Sequence, residues 1–176
     1  DVYSILSMVI EVGGLIGEHE EALNLSTTLL AQVEDLRSLR KPGRRPRVYV
    51  EIDLGGPTIP AYFSHVTSAF TIAGIDNVFA GTPQSYLYGM KVNDYRVMDV
   101  AAELKRRNPD VIVFESKSFK PDEDEGLKIM RERGLESLEA VETGKVLTLP
   151  ADTLAHYGPS FIVEARKVVE KIYSML

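Results

Sequence analysis

The stretch from Glu18 to Ile52 constrains the fold most, because a long amphipathic helix runs through a Lys41-Pro42-Gly43 break straight into an apolar strand. Ala22, Leu25, Leu29, Val33 and Leu36 recur at steps of three or four, which gathers them on one helical face, and Leu23, Leu30 and Leu39 widen the stripe. Such a face has to pack on something. Gly17 precedes the helix and Pro42-Gly43 ends it, while Arg37, Arg40 and Lys41 sit in its last turn, where cations oppose the carbonyl end of the dipole. A helix of this length spans about 30 Å, the width of a small domain, and reads as a spine. The strand that follows, Arg47 to Ile52, leads into Asp53-Leu54-Gly55-Gly56-Pro57, a turn-rich segment at the place where α/β proteins keep their ligands.

Around this spine the remaining pieces alternate. A first helix is predicted from about Val2 to Val12, with Gly13-Gly14 and Gly17 punctuating the passage to the spine. A helix from about Ala61 to Ala73 is stopped by Gly74, residues 77–80 make a short strand, and residues 81–89 read as an aromatic-bearing loop. A helix from about Met98 to Arg107 ends at Asn108-Pro109, since the residue before proline is pushed out of the helical region. Val111 to Phe114 is a continuous apolar run of the kind found in a parallel strand covered on both faces. After a polar loop come a helix from about Gly126 to Arg133, a strand from Val146 to Leu149, a loop from Pro150 to Pro159 and a closing amphipathic helix with Ile162, Val163, Val168, Val169 and Ile172. The order predicts an α/β fold, a mostly parallel sheet flanked by helices on both faces in a Rossmann-like lobe, preceded by the long spine helix.

With 176 residues and 44% hydrophobic content the chain supports one well-buried domain. A formal net charge of -6 with interspersed signs argues against a nucleic-acid partner, whose footprint is a basic surface. The basic run from Arg37 to Arg47 lies at a helix end and linker and reads as a solvated turn. The chain has no cysteine, which removes disulfides, thiolate metal sites and cysteine nucleophiles together. No apolar run approaches the roughly 18 residues of a membrane span. Because the chain opens on Asp1 while Val2, Ile5, Leu6 and Val9 already follow helical spacing, it is expected to begin inside a larger protein.

In this architecture the loops leaving the carboxyl ends of the strands converge on one edge. Residues 53–62, 81–88, 115–120 and 150–157 qualify, and they offer Tyr62, Tyr86, Tyr88, His156 and Tyr157, with Gly55 and Gly56 letting backbone come close to a ligand. Such a surface suits a large, partly flat molecule. Tyrosines in loops also half-bury their rings for packing alone, which remains the alternative at each position. Enzymatic signatures are poor: the chain has no GxxxxGK[ST] phosphate loop, no GxGxxG after a strand, no GxSxG elbow and no HExxH. His19 reads as a helix-end residue and His65 as a packed or surface histidine, leaving His156 as the one histidine on the ligand edge. The acids from Asp122 to Glu125 lack the alternating ligand spacing of a calcium loop, so no metal site is expected.

Taken together, Gly17-Glu18 with the Glu-Glu-Ala that follows, RPRVYVEID, AGIDNVFA from Ala73, NPDVIVF from Asn108 and GPSFIVEARKVVEKI from Gly158 resemble the carboxyl half of a particular group. These are the substrate-binding proteins of ABC importers for iron-siderophores, haem and cobalamin, the periplasmic binding proteins with a helical backbone. The resemblance covers nearly the whole chain. It implies that residues 1–45 supply an amino-terminal helix and the helix linking two lobes, and that residues 46–176 form the carboxyl-terminal lobe, the first lobe lying upstream. It also implies an extracytoplasmic protein tethered to the membrane. Such a protein carries no resident cofactor, holds an iron chelate, haem or a cobalamin-like compound as ligand, and has an ABC permease and its ATPase as partners. In that family a docking glutamate stands near the start of the helix before NPD in a V-S-x-E setting; counting back six residues from Asn108 gives Ala102, with Asp99 and Glu103 flanking the place.

The leading reading is therefore a ligand-capturing subunit without catalysis, and the alternative from another class is a small flavodoxin-like α/β enzyme or a regulatory partner-binding domain. On the first reading Val2, Ile5, Leu6, Val9 and Ile10 have too little to cover them, and the isolated chain is expected to form a homodimer through its amino-terminal helices.

Overall fold

The computed structural model describes residues 1–52, 64–80 and 100–176, together with the backbone of 59–60, 86–87 and 90–91. Its centre is a parallel ladder. Strand β1 (Arg47–Ile52) pairs in parallel with β6 (Val111–Glu115), which pairs in parallel with β7 (Val146–Leu149). On the other side of β1 the pairing is divided. Its first residues run parallel to β3 (Asp76–Asn77), and its last two run antiparallel to β2 (Ile59–Pro60). A separate two-residue pair joins β4 (Tyr86–Leu87), inside the stretch 81–89 expected to be loop, to β5 (Met90–Lys91) just after it.

Alternation along the central strands sorts the core into two layers. Val48, Val50 and Ile52 of β1, with Val111 and Val113 of β6, face α1 (Val2–Ile16), α2 (His19–Ser38), α3 (Ser64–Ile72) and α7 (Pro159–Ser174). Tyr49, Ile112, Phe114 and Val146 face the layer built from α4 (Val100–Arg107), α5 (Glu125–Glu132) and α6 (Glu139–Glu142), meeting Leu104, Met130, Ala140 and Val141. The sheet is thus mostly parallel with helices on both faces, as the order of elements requires. Because β6 is buried on both sides, its apolar run from Val111 to Phe114 is what the ladder needs.

The amino-terminal helices differ from expectation in instructive ways. Gly13 and Gly14 do not interrupt α1, which runs on to Ile16 and stops at Gly17, whose φ of 86° is the left-handed C-cap. Gly13 serves close packing instead: a Cβ there would lie 2.2 Å from the Ala22 Cβ and 2.9 Å from the Glu18 carbonyl oxygen. The α1–α2 hairpin closes on this contact. The buried seam of α2 is Ala22, Ser26, Leu29, Val33 and Leu36, so Ser26 replaces Leu25, and Leu23, Leu25 and Leu30 stay exposed. Val2, Ile5 and Leu6 are covered by α2, α3 and α7 and belong to the core, correcting the expectation that they lack cover. The apolar surface left over sits at the hairpin tip, where Leu15 is 86% and Ile16 68% exposed.

The basic run after α2 does more than solvate a turn. Arg44 pairs with Asp110, Arg45 with Asp76 at 3.0 Å, and Lys41 lies over the Tyr173 ring at 4.9 Å. Asp110 also accepts the Arg47 backbone N–H at 2.7 Å, so the cations stitch the amino edge of the sheet. No helix among the described residues is long and apolar enough to cross a membrane.

Candidate functional site

Near the carboxyl ends of β1 and β6 stand two buried carboxylates, each on a different face of the sheet. Glu51, next to last in β1, accepts from the Tyr49 hydroxyl and takes Arg133 Nη1 on both oxygens, at 2.7 and 3.0 Å. This ion pair borders a cavity of about 240 Å³ lined by Val100, Ala101, Leu104 and Leu135. Glu115, the last residue of β6, points the other way and is 1% exposed. Its Oε2 accepts from the backbone N–H of Leu154 and, at 3.2 Å, from that of Ala155.

Glu115 therefore clasps the loop leaving β7 by its backbone, and His65 clasps the same residue from the other side. The imidazole Nε2 lies 3.1 Å from the Leu154 carbonyl, and the ring meets Tyr157 and Phe161 edge-on at 5.1 and 4.6 Å. Burial pushes the Glu115 carboxyl up to about 7, against the two N–H donors that favour its charge. The same burial lowers the His65 imidazole, opposed by its bond to Leu154. His65 is thus a packed histidine, one of the readings that the sequence allows, and its partners include a carbonyl and two aromatic rings.

The loop so held presents His156 and Tyr157 to solvent at the expected edge. Tyr157 is 45% exposed, and its hydroxyl reaches the Asp1 carbonyl at 3.5 Å, joining the loop to the start of α1. Tyr86 is described only as backbone in β4, opposite Lys91. Gly55, Gly56, Tyr62, Tyr88 and Asp99 lie outside the described residues. Glu103 is half-buried on α4 and already engaged: Arg106 Nη2 bonds its Oε2 at 2.6 Å and Arg107 Nε at 2.9 Å, and these guanidinium groups hold the carboxyl down to about 2.

Two features escaped the reading of the sequence. Ser116, buried after β6, donates to Glu125 at 2.7 Å and accepts from the Ser118 N–H at 3.0 Å, so the loop after β6 is ordered. Phe119 in that loop is 72% exposed. Only its position after a parallel strand could have signalled it. Among the described residues no group of three or more histidine, aspartate or glutamate side chains is arranged to hold a metal ion.

A sheet with its ordered, aromatic-bearing loops on the carboxyl edge is shared by many folds, and comparison separates them. The family model for periplasmic binding proteins matches residues 1–153. The chain belongs to the periplasmic binding protein family. Among solved structures, a possible iron-binding periplasmic solute-binding protein from Staphylococcus epidermidis superposes with a TM-score of 0.73 at 16% identity, over 98% of this chain and 63% of that one. A periplasmic haem-binding protein from Roseiflexus gives 0.72 at 16% identity over 99% of this chain and 64% of that one. A periplasmic vitamin B12 binding protein of Vibrio cholerae gives 0.69 at 18% identity over 99% and 62%. At these identities the likeness is one of fold. This periplasmic binding protein chain spans less than two thirds of the length of each of the three. No curated protein sequence matches it.

Proposed function

We propose that the chain is the ligand-binding carboxyl lobe, with its linking helices, of the substrate-binding component of an ABC importer. Residues 1–45 supply the link and residues 46–176 the lobe. The component works outside the cytoplasmic membrane, tethered to it. It captures an iron chelate, haem or a cobalamin-like compound against the carboxyl edge of the sheet and delivers it to a permease and its ATPase without chemistry on the ligand. The observation that carries this reading is the family match across residues 1–153. The neighbours whose printed descriptions name iron, haem and vitamin B12 support the choice of ligand class.

The physical logic is capture by a preordered edge. Glu115 and His65 fix the backbone beneath His156 and Tyr157, so little conformational freedom is lost when those rings meet a ligand. Docking to the permease uses an acid at the start of α4, Asp99 or Glu103, by carboxylate–arginine pairing across the interface. Since Glu103 already holds Arg106 and Arg107, a contact there exchanges one guanidinium for another, whereas Asp99 carries the role if reversal of Glu103 leaves transport intact.

The test is retention of colour. Full-length polypeptide incubated with ferric siderophores, haemin or cobalamin and then passed over a desalting column should carry one of them through, with absorbance in proportion to protein. Passage of colourless protein in every case would overturn the reading.

A further inference from the structure

Phe119 stands 72% exposed on the loop leaving β6, at the edge where α/β sheets hold ligands. A single exposed aromatic is ordinary. This one is presented by a fixed perch. The Ser118 N–H is held by Ser116 Oγ at 3.0 Å, the Lys120 N–H by Ser118 Oγ at 3.1 Å, and the Ser118 carbonyl accepts from Ala151 N–H at 2.8 Å. The last bond ties the perch to the loop that carries His156 and Tyr157, so three exposed rings belong to two cross-linked loops of one edge.

The charges beside the ring have a sign. Lys117 and Lys120 flank Phe119, both are exposed, and neither forms an ion pair among the described residues. Of the four acids that follow, Asp124 pairs with Lys128 at 2.9 Å and Glu125 takes the Ser116 hydroxyl, while Asp122 acts on Lys128 and the exposed Glu123 lies three residues beyond Lys120. Resting on the function proposed above, we infer that Phe119 is a ligand-contacting residue whose ring takes the flat face of an anionic, conjugated chelate while Lys117 and Lys120 meet its peripheral negative charge. A preordered aromatic loses little entropy on contact, and two lysines favour an anion over a neutral chelate of the same size.

Three probes test this on the full-length polypeptide by quenching of tyrosine fluorescence: a ferric tris-catecholate, haemin, and a ferric hydroxamate without net negative charge. Phe119→Ala is expected to weaken the catecholate or haemin about tenfold or more, as loss of an interface anchor does. The double change Lys117→Gln with Lys120→Gln is expected to weaken the same probe at low salt, with the loss shrinking as salt is raised, and to spare the hydroxamate. Because Phe119 is solvent-facing, unchanged thermal melting will confirm that the variant is folded. Binding of the hydroxamate alone by the wild type would overturn this assignment and leave the transport reading standing. Binding of none of the three would overturn this assignment, and the transport reading would then stand or fall with cobalamin in the colour-retention test. Equal affinity of Phe119→Ala and wild type for an anionic probe would overturn the assignment and move Phe119 to another role, such as contact with the permease.

Discussion

Replacing Glu115 by Gln tests whether the buried carboxyl is held uncharged at the base of the ligand edge. Raising its pKa from 4.5 to about 7 means that the folded state binds this proton more tightly than the unfolded state between those values. The group therefore favours folding below about pH 4.5 and costs stability as pH rises to 7, by about 3 kcal/mol at ~1.4 kcal/mol per tenfold change in proton affinity. His65 acts in the opposite sense. Its imidazole is lowered by burial, so the unfolded state takes up the proton first and stability falls as pH drops below 6.5. Glu103, held down to about 2, adds stability above 4.5 that is lost only as pH falls toward 2. The wild-type pH profile mixes these opposing contributions, and the difference between wild type and Glu115→Gln isolates one of them. Urea unfolding at pH 5, 6, 7 and 8 is the assay. The Gln oxygen still accepts from Leu154 and Ala155, so its own offset is independent of pH, and the variant should gain about 2.5 kcal/mol on wild type from pH 5 to 8. A stability difference that stays flat across that range would refute the buried, uncharged carboxyl.

Three further outcomes are expected. Gly13→Leu should destabilise the chain by about 1–3 kcal/mol in urea unfolding, because its side chain meets Ala22 and the Glu18 carbonyl, whereas Gly14→Ala, with only the His19 ring within 4 Å, should be neutral or stabilise by up to about 1 kcal/mol. In the full-length polypeptide, Tyr157→Ala and Tyr88→Ala should each weaken ligand binding by about 1–3 kcal/mol in titration, as loss of an aromatic contact does; unchanged affinity in both moves the site away from these loops. The isolated chain should self-associate at micromolar concentration through the hairpin tip, where Val12, Ile16 and Leu25 line an apolar groove of about 350 Å³, and Leu15→Lys with Ile16→Lys should return it to a monomer in sedimentation.

How far the sequence reaches depends on which interaction decides each element. Strands β1 and β7 fall on their expected residues because an apolar run between turn signals leaves little choice. The end of α4 at Asn108-Pro109 is equally local, with Asn108 at a φ of 41°. Gly13-Gly14 reads as a break because glycine in a helix signals one locally, whereas the close approach of Ala22 is what requires Gly13. Likewise Ser26 displaces Leu25 from the seam because steps of four and three face the partner helix, a geometry set by α1. The two-residue pairings of β2 and of β4 with β5, and the single turn of α6, are too short to leave a periodic signal. At the edge, His156 and Tyr157 were legible from loop position alone. Glu115 was not, since a carboxylate closing an apolar strand looks like the first residue of a loop until Leu154 and Ala155 are seen to donate to it.

The most direct measurement is a crystal structure of the full-length polypeptide with the chelate it retains. The ligand should lie within about 4.5 Å of Tyr157 and Phe119, a contact distance, above the carboxyl ends of β1, β6 and β7. A chelate bound instead at the opposite edge, beside Arg44 and Asp110, would contradict the account.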